Sequence, residues 1–246
     1  MRVPRLFQDT YLSVGDNIVL DAQATVHVTR VLRLKPGDEV IVFNGRGGEY
    51  HGRLVAQEKR SAHIFLERFF KPDVESPLNI TLAQGISRGE RMDYTVQKAV
   101  ELGVTRIVPL LTERTGVNLQ GGRKQRRREH WQSIVSSACE QCGRNQLAEL
   151  EDIETLPRYL AHCAETGPAT RLVLHHRTQQ SLAQLPLRNN EVVLLVGPEG
   201  GLSATEIALA QQAGFEAIRF GPRVMRTETA AVAALAVLQS RWGDFI

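Results

Sequence analysis

The sequence predicts an α/β protein: a small N-terminal β-barrel over residues 1–71 followed by a larger α/β domain with a mainly parallel sheet over 72–246. Three observations predict it. Short alternating strands punctuated by turn residues fill 3–70, a strand–helix–strand pattern spans 78–111, and two strand-to-loop-to-helix junctions lie between 192 and 241.

Period-two alternation places strands at Asn17–Leu20, Asp38–Asn44, Tyr50–Ala56 and His63–Phe69, with Lys35-Pro-Gly-Asp38 and Asn44-Gly-Arg-Gly-Gly48 as turn chemistry. In His27–Arg33 the apolar residues Val28, Val31 and Leu32 have the spacing of a short helix whose other face carries Arg30 and Arg33. The prolines and acids of 71–77 read as a linker. Beyond it, Leu78–Ile86 reads as a strand, Glu90–Leu102 as a helix ended by Gly103, and Thr105–Leu111 as a second strand. A helix over 125–140, a weak pattern over 156–163 and a strand over 171–175 follow.

The first junction begins with the apolar run Val192–Val196, which stops on Gly197-Pro198-Glu199-Gly200-Gly201. Ser203 followed by Glu206 is a capping box, so a helix starts there and runs to about Gly214. The second comprises a strand over 215–220, the stretch Gly221-Pro-Arg-Val-Met-Arg-Thr-Glu-Thr-Ala230, whose Met225–Ala230 part opens a helix, and a run of small apolar residues continuing that helix to about Arg241. Thr227 or Thr229 can cap that helix, and Glu228 suits its positive end. Loops of this kind let main-chain groups touch a ligand, and open parallel sheets bind ligands beyond the carboxyl ends of their strands.

With 42% hydrophobic and 23% charged residues the chain can bury a full core. The opening residues lack the apolar core of a secretion signal and no window approaches a membrane span, so the expected location is cytoplasmic. Residues 1–71 hold 11 Lys or Arg against 8 Asp or Glu, while 72–246 hold 19 of each, so the positive excess sits in the N-terminal third. Only 5 of the 30 cations are lysine; the rest are arginine, whose planar fork suits phosphates and bases and leans the reading toward RNA.

Several chemistries are disfavoured. G-x-G-x-x-G and a phosphate-loop Gly-Lys-Ser/Thr are absent, which counts against a dinucleotide oxidoreductase or nucleoside triphosphatase. Cys139-Glu-Gln-Cys142 lacks a second ligand pair for zinc, and three cysteines suit reduced thiols. The run 123–128 suits either a solvated helix start or an RNA contact. His175-His176 follows an apolar strand and suits either a pocket wall or a structural position. A cation near a helix N-terminus is unfavourable, so Arg226 points to work on a substrate.

Taken together, Gly-Pro-Glu-Gly-Gly-Leu-Ser-x-x-Glu (197–206), Gly-Pro-Arg-Val-Met-Arg-Thr-Glu-Thr-Ala (221–230), Gln97–Val104, Thr112-Glu-Arg114 and the opening Met1-Arg-Val-Pro-Arg5 resemble the bacterial 16S ribosomal RNA (uracil-N3)-methyltransferases of the SPOUT superfamily. The resemblance implies a PUA-like barrel, a C-terminal domain tied in a deep trefoil knot, a homodimer through that domain and S-adenosylmethionine held by the two loops. Val196, Gly197, Gly201, Phe220, Gly221, Met225, Thr227 and Ala230 would surround it, with Pro198, Glu199, Gly200, Pro222, Arg226 and Thr229 completing the candidate set. Arg226 and Glu228 would be catalytic, no metal is expected, and Arg5, Arg30, Arg33, Arg88 and Arg114 would hold 16S rRNA of the small subunit. Competing readings are a SPOUT enzyme acting on a ribose 2′-OH or another base, and a catalytically silent RNA-binding assembly factor.

Overall fold

A computed structural model describes residues 3–58 and 61–245, so Met1 and Arg2 of the opening motif lie outside the described residues. Two compact units are present: Met1–Glu75 with Ser136–Leu147, and Ser76–Val135 with Ala148–Ile246. The segment 136–147, which the sequence assigns to the second domain, thus groups with the first.

The first unit is a five-stranded mixed sheet. Its strands are β1 (Arg5–Phe7), β2 (Asn17–Val19), β3 (Glu39–Phe43), β4 (Glu49–Gln57) and β5 (Ala62–Phe70), in the order β1-β3-β4-β5-β2, with β1 parallel to β3 and the other pairs antiparallel. The period-two pattern shows directly in β5, where Ala62, Ile64 and Leu66 are buried and Phe65 faces out.

Between β2 and β3 the expected helix starts earlier than its apolar spacing suggests. Helix α1 spans Ala22–Val26 because Asp21 caps it, its carboxylate accepting from the Ala24 N–H at 2.8 Å. The chain then widens into a π turn over His27–Val31, closed by Leu32 N–H on the His27 carbonyl. Of the three apolar residues only Val28 is fully buried, and Val31 is 65% exposed.

The second unit is a seven-stranded parallel sheet flanked by helices. In chain order it contains β6 (Asn79–Gly85), α2 (Glu90–Glu101), β7 (Arg106–Leu111), α3 (Arg123–Cys142, whose last turns group with the first unit), β8 (Glu149–Leu150), β9 (Glu154–Thr155), α4 (Leu156–Glu165), β10 (Thr170–Leu174), β11 (Glu191–Val196), α5 (Ala204–Gln212), β12 (Glu216–Ile218) and α6 (Thr227–Trp242). The order is β12-β10-β11-β6-β7-β8, with β9 also beside β7. β11 is apolar from Val192 to Val196 because neighbours pair with it on both edges and helices cover its faces. One core layer joins Leu110, Val173 and Leu195 of the sheet to Leu160 of α4 and to Ile207 and Ala210 of α5, while α6 packs on α2.

The predicted capping box is present: Ser203 accepts from the Glu206 N–H at 3.1 Å and Glu206 accepts from the Ser203 N–H at 2.8 Å. Among the described residues no disulfide joins Cys139, Cys142 or Cys163, and Cys139 Sγ donates to the Gln146 carbonyl at 3.7 Å. Among the described residues no cluster of His, Cys, Asp and Glu could hold a metal, and no helix is long and apolar enough to cross a membrane.

Candidate active site

Leu174, Val196 and Ile218 end the adjacent strands β10, β11 and β12, and all three line one cavity of about 690 Å³. That volume suits a nucleoside-sized ligand. The two C-terminal loops form its other walls. Val196, Gly197, Pro198, Glu199, Gly200, Gly201, Phe220, Gly221, Met225, Arg226, Thr227 and Ala230 line it, as does Glu228; Pro222 and Thr229 of the candidate set do not. Thr229 points to solvent from the exposed side of α6.

The glycine loop is held from several sides. Gly201 closes a turn on the Pro198 carbonyl at 2.8 Å with φ of +66°, and Gly221 in the second loop has φ of +73°, conformations that disfavour a side chain. A Cβ on Gly85, at the end of β6, would lie 2.6 Å from Pro198 Cδ and 2.7 Å from its nitrogen. Only glycine there lets the loop pass so close to the sheet.

Thr227 is the first residue of α6, and Arg226, without a side-chain cap bond, occupies the cap position that the sequence gives to a threonine. The Thr227 hydroxyl is drawn inward instead. It donates to the Gly197 carbonyl at 2.7 Å and accepts from Gln84 Nε2 at 3.1 Å, tying the two loops and β6 together. Thr227→Val leaves that carbonyl only the long 3.5 Å bond from Gln84 Nε2 and is expected to lower unfolding free energy by about 1–3 kcal/mol. Urea titration checks it, and an unchanged midpoint and slope would remove this tie from the account.

Electrostatics at the mouth are set by arginines. Burial pushes the Glu199 carboxyl up, but the Arg88 backbone N–H at 2.8 Å, its own backbone N–H and Arg91 Nη1 at 2.9 Å outweigh that and leave it below the ordinary carboxylate range. Glu228 is more enclosed. Its Oε1 lies 4.0 Å from Arg91 Nε, and its buried Oε2 has no hydrogen-bond partner among the described residues. Arg226 is exposed at the cavity edge. Burial first, then His176 and Arg177, lowers the His175 pKa and favours its neutral form.

The five arginines expected to hold RNA divide. Arg5 is largely enclosed: its side chain is only 7% exposed, paired with Glu49 and donating to Asn145 Oδ1 and the Arg144 carbonyl, so it braces the first unit internally. Arg114 lines the cavity, and the Arg88 backbone N–H holds Glu199 of its wall. Arg88 Nε donates to the Gly116 carbonyl at 3.0 Å and Arg114 Nη1 to the Gly200 carbonyl at 2.8 Å. Buried Glu206 completes this brace by accepting from the Glu113 N–H at 2.8 Å. Arg30 and Arg33 are exposed, and no ion pair involves them among the described residues.

Sequence reasoning missed Arg91, Gly85 and the wall formed by α5. That wall was detectable, since Ala204, Ile207, Ala208 and Gln211 all line the cavity and recur at helical spacing after the capping box. His175 and His176, left open between wall and scaffold, both line the cavity.

A family model described as an RNA methyltransferase domain matches residues 74–239, and one described as an RNA methyltransferase PUA domain matches 13–67. Fold, cavity and these matches define the class as an RNA methyltransferase with an appended PUA domain. Ribosomal RNA small subunit methyltransferase E of Buchnera aphidicola subsp. Schizaphis graminum is 35% identical over 244 residues, covering 99% of this chain and 98% of that protein. The chain belongs to the ribosomal RNA small subunit methyltransferase E family. Two solved structures agree closely with the fold. One, the Neisseria gonorrhoeae enzyme of that name bound to S-adenosyl methionine, is 39% identical with a TM-score of 0.92 and full coverage of both chains. The other, a Legionella pneumophila putative methyltransferase in complex with SAM, is 38% identical with a TM-score of 0.95, covering 99% of this chain and 100% of that one.

Proposed function

We propose that this chain uses S-adenosylmethionine to methylate N3 of a uridine in 16S ribosomal RNA of the small subunit, as a cytoplasmic homodimer. The carrying observation is the cavity at the ends of β10, β11 and β12, which both loops line and whose lining includes Arg226 and Glu228. The residues suit the cofactor. Apolar Val196, Leu202, Ile218 and Met225 offer a surface for an adenine ring, the glycine loops present backbone, and the buried unpartnered Oε2 of Glu228 suits a cationic neighbour. When bound, S-adenosylmethionine supplies a methyl group on a positively charged sulfur.

The chain's own residues then have two tasks. Uracil N3 is a weak imide acid, and it becomes nucleophilic as its proton leaves. Arg226 holds the uracil oxygen on which negative charge develops, and Glu228, directly or through a water, takes the N3 proton. N3 is the Watson–Crick edge, so the base must enter unpaired or flipped.

A deep trefoil knot in the two loops and a dimer seam along α6 belong to the same reading. The seam is supported by a stripe of small or apolar residues on α6, with Ala230 and Ala233 half-buried and Val237 41% exposed. The test is methyl transfer from labelled S-adenosylmethionine to small subunits purified from a strain lacking this protein. Digestion and mass analysis should give 3-methyluridine. A 2′-O-methyl nucleoside, or no incorporation despite calorimetric binding of the cofactor, overturns the proposal.

A further inference from the structure

A second cavity, of about 520 Å³, lies beside the start of α3, and Asn118, Leu119, Arg123, Arg126, Arg127 and His130 form most of its lining. Among the described residues no carboxylate pairs with Arg123, Arg126 or Arg127. Several of their neighbours are engaged. Arg128 donates to the Leu150 carbonyl at 2.9 Å and pairs with Asp152 at 2.9 Å. Glu129 accepts from Gln125 at 2.8 Å, and Asp93 holds both His130 Nε2 at 2.9 Å and Trp131 Nε1 at 3.0 Å.

A solvated helix start would spread its cations over a convex face and interleave them with acids. Here three guanidinium groups line one concavity, and the only acid within 123–130 bonds a glutamine. The first-turn N–H groups of a 20-residue helix add partial positive charge at the same place.

The two cavities lie at successive stretches of one loop. Between β7 and α3, Glu113 and Arg114 brace the first cavity through Glu206 and Gly200, and Gly116 receives Arg88. Val117 and Asn118 already line the second. From Arg114, in the lining of the first cavity, to Asn118, in that of the second, the chain can span at most about 14 Å even when fully extended, so the two linings are close along this loop.

From this arrangement we infer that the Arg123–Arg126–Arg127 cavity binds phosphodiester groups of the substrate RNA next to the target nucleotide. The inference rests on the RNA methyltransferase reading. Arginine forks accept phosphate oxygens in bidentate fashion, which three unpaired guanidinium groups in a hollow provide.

The test is the triple variant Arg123→Gln, Arg126→Gln, Arg127→Gln beside wild type and the matching triple lysine variant. Binding of a short single-stranded oligouridine is measured across salt concentrations. Losing three phosphate contacts should make the log-log salt dependence shallower by about 2, with the lysine variant recovering most of the slope. With small subunits as substrate, KM should rise at least about ten-fold while kcat stays within about two-fold. Calorimetric affinity for S-adenosylmethionine should be unchanged, because these residues do not line that cavity. An unchanged slope overturns the inference. So does a raised KM for subunits with unaltered oligouridine binding, which assigns the patch to a ribosomal protein. Failure of the underlying reading shows separately, as absence of methyl transfer by wild type.

Discussion

Arg226→Ala is expected to lower kcat for methyl transfer by about 10²–10³-fold, the scale of removing one donor from a site where negative charge develops. Single-turnover kinetics on small subunits, beside calorimetry with S-adenosylmethionine, provide the measurement. Arg226 sits at the N-cap of α6 without a side-chain cap bond, at the rim of the cavity. A cation there opposes the helix dipole, so its position calls for another role. Glu228, two residues on, turns an unpartnered carboxylate oxygen inward. Cofactor affinity should fall far less than turnover, and Arg226→Lys should restore part of the rate without the bidentate fork. Near-normal turnover in the alanine variant would leave the developing charge without its assigned partner.

Gly85→Ala is expected to weaken S-adenosylmethionine binding by about 100-fold or more, since a loop displaced by an ångström loses its aligned contacts. The added methyl would meet Pro198 nitrogen at 2.7 Å and the Gly197 carbonyl carbon at 3.0 Å, backbone atoms that have no alternative rotamer. Overpacking of this kind costs about 1–3 kcal/mol, so the protein should stay folded while its urea midpoint falls. Calorimetry decides it. Affinity within a few-fold of wild type would show that β6 does not hold the 197–201 loop in its working position.

What was legible in the sequence was local. The Ser203–Glu206 box needs only residues three apart, and the run Val192–Val196 needs only one strand buried on both faces, so both appear as read. The loops around Gly197 and Gly221 were legible because their backbone requirements are written in glycine and proline.

What failed depends on partners remote in the chain. Arg5 reads as a free cation until Glu49 and Asn145 close on it, and nothing near residue 5 announces either. Gly85 reads as an ordinary strand end, because its constraint comes from Pro198. The threonine cap failed for the same reason: a buried carbonyl thirty residues away competes for the hydroxyl and wins. The carbonyl partners of Arg88 and Arg114 were not legible either, because surface arginines look alike in sequence, whichever carbonyl they meet.

The bond from Thr227 to the Gly197 carbonyl ties the first turn of α6 to the glycine loop. Farther along the same helix, Val237 lies open. Whatever grips that outer surface more firmly in the donor-holding arrangement must raise affinity for the donor, and reciprocity requires the donor to tighten that grip by the same factor. On the proposed dimer seam, assembly along α6 and methyl-donor capture would then be thermodynamically linked.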